Sequence, residues 1–144
     1  MMDTTESSRR RLLDYFDSCN AGTAEQIAAH FTPDAVVWDA NSRPARGPDE
    51  IGPMWVKVRE RWGGAVWSVL STVVEGDRAA VEWTMDGAAP ESGRTFTFRG
   101  SDHYEFHDGL IREIRQWWTF DPTRLDTGLV GHPSLSGASR SDTP

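Results

Sequence analysis

The spacing of apolar and polar positions changes along this chain from the period of helices to that of strands. The first part predicts three helices, separated by Gly and Pro stop signals, over 5–20, 24–31 and 48–62. A short strand is expected over 35–39, and a turn-rich stretch over 40–47 follows it.

Four longer segments with the alternation of strands come after the third helix. Their predicted ranges are 66–75, 78–85, 94–106 and 110–120. Helices followed by consecutive strands predict an α+β fold, in which a curved antiparallel sheet wraps against three N-terminal helices. A curved sheet with a helix across its mouth leaves a conical pocket. We expect this domain over 1–124 and a flexible polar tail over 125–144.

One carboxylate interrupts the apolar face of the third long strand. The side chains on that face, read with a period of two, are Phe96, Phe98, Gly100, Asp102, Tyr104 and Phe106. A buried carboxylate is costly unless it is paired, hydrogen-bonded or protonated. Asp102 is therefore a candidate pocket residue. The alternative is a half-buried face, on which Asp102 reaches water at the end of the sheet.

Composition narrows the classes of function. The 144 residues suit one domain with one core, and the net charge of -7 argues against nucleic acid or an anionic membrane as a partner. The single cysteine excludes an intramolecular disulfide, and the four histidines lack the spacing of metal ligands, so we expect no metal. No secretory signal and no apolar stretch of about 20 residues are present, which predicts a cytoplasmic protein.

Seven tryptophans are many for a chain of this length. Large rigid aromatic side chains either fill a core or line a cavity, and both interpretations stay open. The aromatic residues that we predict to contact a substrate are Trp38, Trp55, Trp83, Phe98, Tyr104 and Trp118.

Several segments together resemble the nuclear transport factor 2-like superfamily. They are Asn20-Ala21-Gly22 after Tyr15, the run from Phe31 to Asp39, Gly47 before a helix, the segment from Gly76 to Val81, and the run from Asp102 to Ile111. Within that superfamily the chain looks most similar to the SnoaL-like polyketide cyclases and the ketosteroid isomerases. The resemblance covers about residues 8–120 and implies a cone of bent sheet with three helices.

The resemblance to the ketosteroid isomerases also implies three catalytic residues. Tyr15 matches their tyrosine, Asp39 their aspartate base, and Asp102 their protonated aspartic acid; Ala40 replaces the proline that follows their base. Removing a proton next to a carbonyl needs a base near the carbon and donors at the oxygen. Asp39 would be that base, while Tyr15 and neutral Asp102 would stabilise the enolate.

These observations predict a small isomerase or cyclase that needs no cofactor and enolises a hydrophobic carbonyl compound in an apolar pocket. Two further enzyme types of the superfamily stay open. For an epoxide hydrolase, Arg99 is near Asp102 in sequence but alternates to the opposite face. For a dehydratase, His30 is the only plausible pocket histidine, and a structural role is the favoured reading of it.

The alternative of a different class is a non-catalytic module that binds a small molecule or dimerises. The resemblance implies a homodimer formed through the open face of the sheet. The residues that we place on this face are Trp67, Arg99, His103 and Trp117.

Overall fold

A computed structural model describes residues 3–118, so the predicted tail over 125–144 lies outside the described residues. The elements in chain order are α1 (Thr4–Ala21), α2 (Ala24–Ala28), β1 (Phe31–Asp39), β2 (Ala45–Arg46), α3 (Pro48–Arg61), β3 (Val66–Glu75), β4 (Arg78–Ala88), β5 (Thr95–His107) and β6 (Leu110–Trp118). Within residues 3–118, no helix combines the length and the apolar character needed to cross a membrane.

The six strands form one curved, unclosed sheet in the order β2-β1-β6-β5-β4-β3. Neighbouring strands are antiparallel except for β1 and β6, which run parallel. The predicted α+β fold of helices and curved sheet is confirmed. β1 and β6 are far apart in the chain, and the elements between them form the connection that a parallel pair requires, so no local sequence pattern predicts this pairing.

The core lies between the helices and the inner face of the sheet. The predicted apolar stripe of α1 is buried there, including Leu12 and Tyr15. On β5 the aromatic side chains at alternate positions are buried together with Asp102, whereas His103 between them is exposed. The face that carries Asp102 is therefore the inner face of the cone.

The predicted boundary between α2 and β1 is wrong. α2 ends at Ala28, and β1 begins at Phe31 rather than at position 35. Phe31 pairs with Ile111 of β6, whose backbone N–H donates to the carbonyl oxygen of His30 at 2.8 Å. This long-range pairing overrides the local helical periodicity. The short strand β2 also falls in the stretch predicted to be turns, because it pairs with β1.

The predicted position of Trp67 on the outer face is wrong as well. Trp67 is buried, and its ring packs edge-on against Trp55 with the ring centroids 5.6 Å apart. β3 shifts register between Val69 and Ser71, so the strand alternates in opposite phase before and after this point. For that reason, alternation continued along the whole strand does not predict the face of the sheet on which Trp67 lies.

Candidate functional site

A row of polar side chains crosses the inner face of the sheet. In the strand register, Asp39 of β1 lies opposite Gln116 of β6, and Gln116 lies opposite Asp102 of β5. Residues that face each other in register project to the same side of a sheet. Since neighbouring strands are about 4.8 Å apart, the Cα atoms of Asp39 and Asp102 are separated by about 10 Å. The cone therefore contains two carboxyl groups with an amide between them.

Asp102 is the buried end of this row, with 3% of its surface exposed. The indole N–H of Trp83 donates to its Oδ1, and the hydroxyl of Tyr104 donates to its Oδ2, each at 2.8 Å. Burial raises the pKa of Asp102 to about 7, and these two hydrogen bonds oppose the shift without cancelling it. The carboxyl can therefore gain or lose a proton near neutral pH.

The bond between Trp83 and Asp102 depends on the absence of a side chain at Gly100. Trp83 lies opposite Gly100 in the pairing of β4 with β5, and its ring covers that glycine. A Cβ atom at Gly100 would lie 2.2 Å from Cζ2 of Trp83. Any other residue there would displace the indole, because packed interiors leave no room for such an overlap.

Asp39 is the partly exposed end of the row. Its carboxylate accepts hydrogen bonds from the backbone N–H of Asn41 at 2.7 Å, from Nε2 of Gln116 at 2.9 Å and from Nε1 of Trp118 at 3.1 Å. These donors fix the orientation of the carboxylate toward the inside of the cone. Gln116 is buried and lies next to both carboxyl groups, yet it is absent from the residues predicted from the sequence.

Two neighbouring cavities occupy the inside of the cone. The outer cavity has a volume of about 700 Å³ and is bordered by Asp39, Met85, Phe98 and Trp118, among others. The inner cavity measures about 20 Å³, which is room for about one water-sized group. The side chains that line the inner cavity but not the outer one include Tyr15, Cys19, Asp102 and Tyr104. The side chains shared by both cavities are Trp55, Trp67, Trp83 and Gln116.

All the predicted site residues except Trp38 line one or both of these cavities. Tyr15 and Asp102 line the inner cavity, whereas Asp39 lines the outer one. Trp38 is 40% exposed on the outer face of the sheet, where the guanidinium of Arg46 lies 5.1 Å from its ring centroid. Because Asp39 faces inward, the preceding residue of the strand must face outward. Trp38 instead borders a separate cavity of about 220 Å³, which it shares with Asp39 but with none of the other predicted residues.

Tyr15 of α1 is buried beside the inner cavity. Its ring packs edge-on against Phe31 and Tyr104, with centroid distances of 5.3 Å and 6.3 Å. Burial, followed by the charges of Cys19 and Asp102, raises the pKa of the Tyr15 phenol well above its usual value. The hydroxyl therefore keeps its proton at neutral pH and can act as a hydrogen-bond donor.

Two polar side chains anchor the C-terminal end of α1 to α3 and β3. The guanidinium of Arg59 donates to the carbonyl oxygens of Cys19 and Gly22 at 2.8 Å and 2.9 Å. The side chain of Asn20 exchanges two hydrogen bonds with the backbone of Trp67, at 2.8 Å and 2.7 Å. The Arg59 guanidinium thereby satisfies carbonyl oxygens at the end of α1 that would otherwise lack partners. The two side chains also fix the helices that carry Tyr15 and Trp55 relative to one another.

Neither residue considered for a hydrolase or a dehydratase lines the two cavities. His30 is buried, with its ring nitrogens bonded to Arg11 at 3.0 Å and to Ser18 at 2.9 Å, and burial lowers its pKa. Arg99 alternates with Asp102 on β5 and lies on the other face. In the described part of the chain, no group of three or more His, Cys, Asp and Glu side chains is arranged to hold a metal ion.

The sequence pattern of the SnoaL-like domain matches residues 12–114 of this chain. Among solved structures, a protein of unknown function with a cystatin-like fold from Methylobium petroleophilum PM1 is 26% identical. That similarity covers 86% of this chain and 83% of the other, with a TM-score of 0.71. No curated protein matches the chain.

Two further structures share the fold at lower identity. A proposed SnoaL-like polyketide cyclase from Jannaschia sp. CCS1 is 18% identical, covering 82% of this chain and 89% of that one, with a TM-score of 0.72. A proposed ketosteroid isomerase from Kribbella flavida DSM 17836 is 22% identical, covering 85% and 86%, with a TM-score of 0.67. Since the family pattern spans most of the chain and the sheet and helices have the same arrangement, the chain belongs to the SnoaL-like domain family, which has the nuclear transport factor 2-like fold.

Proposed function

We propose that this protein is a small acid–base enzyme of the isomerase or cyclase type, which enolises a hydrophobic carbonyl compound. The observation that carries this proposal is the inner cavity of about 20 Å³ beside the outer cavity of about 700 Å³. The inner cavity suits one oxygen atom of a ligand, and Tyr15 and Asp102 border it. The outer cavity suits the apolar body of the same ligand.

The proposed reaction needs only proton transfers. The carboxylate of Asp39 takes a proton from the carbon next to the carbonyl, and the electrons of that C–H bond move into the enolate. Negative charge then develops on the oxygen in the inner cavity, where Tyr15 and the neutral form of Asp102 donate hydrogen bonds to it. In an isomerisation, protonated Asp39 returns its proton to another carbon of the enolate. In a cyclisation, the enolate attacks a second carbonyl, and the alkoxide that forms takes the proton from Asp39.

The walls of the outer cavity favour a hydrophobic substrate. Most of its lining is aromatic or aliphatic, and the polar residues Arg43, Glu50 and Lys57 are also part of its border. This arrangement suits a flat ketone of the size of a polyketide or terpenoid intermediate. The reaction consists only of proton transfers and carbon–carbon bond formation, which the carboxyl and hydroxyl groups of the site supply, so the proposed enzyme needs no cofactor.

Binding of substituted phenols tests this proposal, because a phenolate carries the charge of an enolate without requiring the true substrate. Tyr15→Phe and Asp102→Leu should each weaken binding about 10- to 100-fold, the range for losing one hydrogen bond to a charged group. Asp102→Asn keeps a neutral donor and should weaken binding less. Asp77→Asn, in an exposed turn, is the matched control and should bind like the wild type.

A catalytic readout completes this test. The protein should accelerate exchange of the hydrogens next to the carbonyl of 2-tetralone for deuterium in heavy water, and Asp39→Asn should abolish the acceleration. Phenol binding that is indifferent to both Tyr15→Phe and Asp102→Leu contradicts the proposal.

A second candidate function is binding without catalysis. It is favoured by the hydrogen bonds of Asp39. Its carboxylate already accepts from Asn41, Gln116 and Trp118, and these donors compete with its action as a base. Phenol binding that depends on Tyr15 and Asp102, without any hydrogen exchange across a panel of ketones, would support this candidate over the enzyme.

We also propose that the protein is a cytoplasmic homodimer formed through the outer face of the sheet. The exposed apolar side chains of this face support that proposal. Trp38 is 40% exposed and Trp117 is 51% exposed, and the ring of Trp117 packs edge-on against His103 at 5.4 Å. Apolar surface of this kind gains stability when a second molecule covers it.

A further inference from the structure

Trp55 carries a buried hydrogen-bond donor that has no acceptor. Its side chain is 8% exposed, and its Nε1 is one of two buried side-chain polar atoms within residues 3–118 that make no hydrogen bond. An indole nitrogen can only donate, so only an acceptor can satisfy it. Because unpaired buried donors are costly and rare in native proteins, this one calls for a specific partner.

The unpaired donor lies where the two cavities meet. Trp55 lines both of them, together with Trp67, Trp83 and Gln116. Burial dominates the raised pKa of Tyr15, and the indole of Trp55 opposes that shift, which places it beside the phenol. The geometry nevertheless falls short of a hydrogen bond, so the N–H of Trp55 stays without an acceptor.

The other donors around the inner cavity are largely committed to Asp102. The N–H of Trp83 is bonded to Oδ1, and the hydroxyl of Tyr104 is bonded to Oδ2. Because Trp83 and Tyr104 are both donors to Asp102, neither of them accepts the proton of its neutral form, which stays available to a ligand oxygen. Trp55 is thus a donor that can serve a ligand without giving up any bond within the protein.

Trp55 is also held in a fixed position. Arg59, one turn further along α3, is bonded to the end of α1, and the ring of Trp67 packs edge-on against that of Trp55. On the other side, Gly52 lets α3 approach α2 so closely that a Cβ there would lie 2.3 Å from the carbonyl oxygen of Ala24. A donor on such a rigid support is preorganised for its acceptor.

We infer that the N–H of Trp55 is a further donor to the ligand oxygen in the inner cavity, in addition to the donors of the proposed function. This inference rests on that function, because it takes the ligand oxygen to occupy the inner cavity. It also specifies the ligand class: the ligand group that enters the inner cavity is a hydrogen-bond acceptor such as a ketone oxygen or an enolate. A group that can only donate hydrogen bonds leaves Trp55 unsatisfied and binds poorly.

The test uses pentafluorophenol, which is ionised at neutral pH, and pentafluorobenzene, which has the same ring without the oxygen. In one variant, 3-benzothienylalanine replaces Trp55 and removes the N–H while keeping the shape. This variant should bind pentafluorophenolate about 10- to 100-fold more weakly than the wild type. Its binding of pentafluorobenzene should be unchanged. Trp67→Phe, which alters the same wall, is the matched control and should affect both ligands equally.

A measurement on the wild-type protein guards against a variant that fails to fold. In protein with ¹⁵N-labelled indoles, the Nε1–H proton resonance of Trp55 should move downfield when pentafluorophenolate binds. The resonance of Trp83, already bonded to Asp102, should move less. An unmoved Trp55 resonance, with binding that still requires Tyr15, overturns this inference and leaves the proposed function intact. Binding that requires neither Tyr15 nor Asp102 overturns both.

Discussion

Asp102 shows how one buried side chain links the site to the stability of the fold. Its pKa is about 7 in the folded protein, mainly because of burial, and about 3.9 in an unfolded chain. Between these values the folded state binds a proton that the unfolded state has lost. The free energy of unfolding contributed by Asp102 therefore decreases as the pH rises from about 4 to about 7, and it is constant above that range.

Asp102→Asn should remove this dependence, since an amide does not ionise. Between pH 5 and pH 8, the wild type should lose about 2–3 kcal/mol of stability relative to the variant, from about two pKa units at 1.36 kcal/mol each. Urea unfolding at the two pH values measures the difference. The exposed control Asp77→Asn should keep the pH dependence of the wild type. Parallel stability curves for the wild type and Asp102→Asn would show that Asp102 does not titrate in this range.

Alternation along a strand predicts which residues face the cavity, but not which partners they meet. It places Asp102 on the inner face correctly, and the alternation that puts Ile114 and Trp118 on one face of β6 also puts Gln116 there. Alternation does not predict the hydrogen bond between Trp83 and Asp102. Trp83 reaches it diagonally from β4, across Gly100, and only the register of three-dimensional pairing determines that contact.

At the scale of elements, the site depends on how closely α3 approaches its neighbours. Gly52 lies against the backbone of α2, with no room for a side chain. Arg59 bonds the same helix to the end of α1. The position of Trp55 between them follows from these two contacts, so a change in either should alter the site.

Gly52→Ala should destabilise the protein by about 1–3 kcal/mol, the usual cost of overpacking. Helix propensity alone predicts the opposite sign, a gain of about 1 kcal/mol. Chemical denaturation distinguishes the two. Lys57→Ala, at an exposed position of the same helix, should change stability by less than about 0.5 kcal/mol. A Gly52→Ala protein as stable as the wild type would mean that α2 can move aside at little cost.

The sequence predicts the kinds of element better than their ends and phases. The long strands and the first and third helices are close to their observed ranges, because each has a long periodic pattern. The end of α2 is mispredicted because β6 takes the backbone of His30 and Phe31 as partners. The phase of β3 is mispredicted because a register shift leaves no mark in the apolar pattern.

For the whole molecule, the outer face of the sheet contrasts with the inner one. In the strand register, one row of residues across the outer face consists of Trp38, Arg115, His103, Ala80 and Val73. Val73 is 71% exposed, whereas Arg115 is paired with Glu105 at 2.6 Å and also with Glu113. A face that combines exposed apolar side chains with ordered ion pairs is suited to a partner of the same composition.

Light scattering at micromolar concentration should give about twice the chain mass of 16.1 kDa. The double variant Trp38→Glu, Trp117→Glu should shift the mass toward that of the monomer, because it buries like charges against each other in a symmetric interface. Leu13→Glu, exposed on α1, is the control and should remain dimeric. A wild-type mass equal to that of one chain contradicts the proposed dimer.

The contact between Trp83 and Asp102 has an optical consequence. Indole emission is sensitive to a charge beside its nitrogen, and the Trp83 nitrogen lies 2.8 Å from a carboxyl that changes charge near neutral pH. Trp83→Phe would isolate this signal from that of the other six of the seven tryptophans. The fluorescence of the unlabelled protein thus reports the ionisation state of Asp102. A compound that changes this state can be detected by its effect on the emission, without the substrate being known.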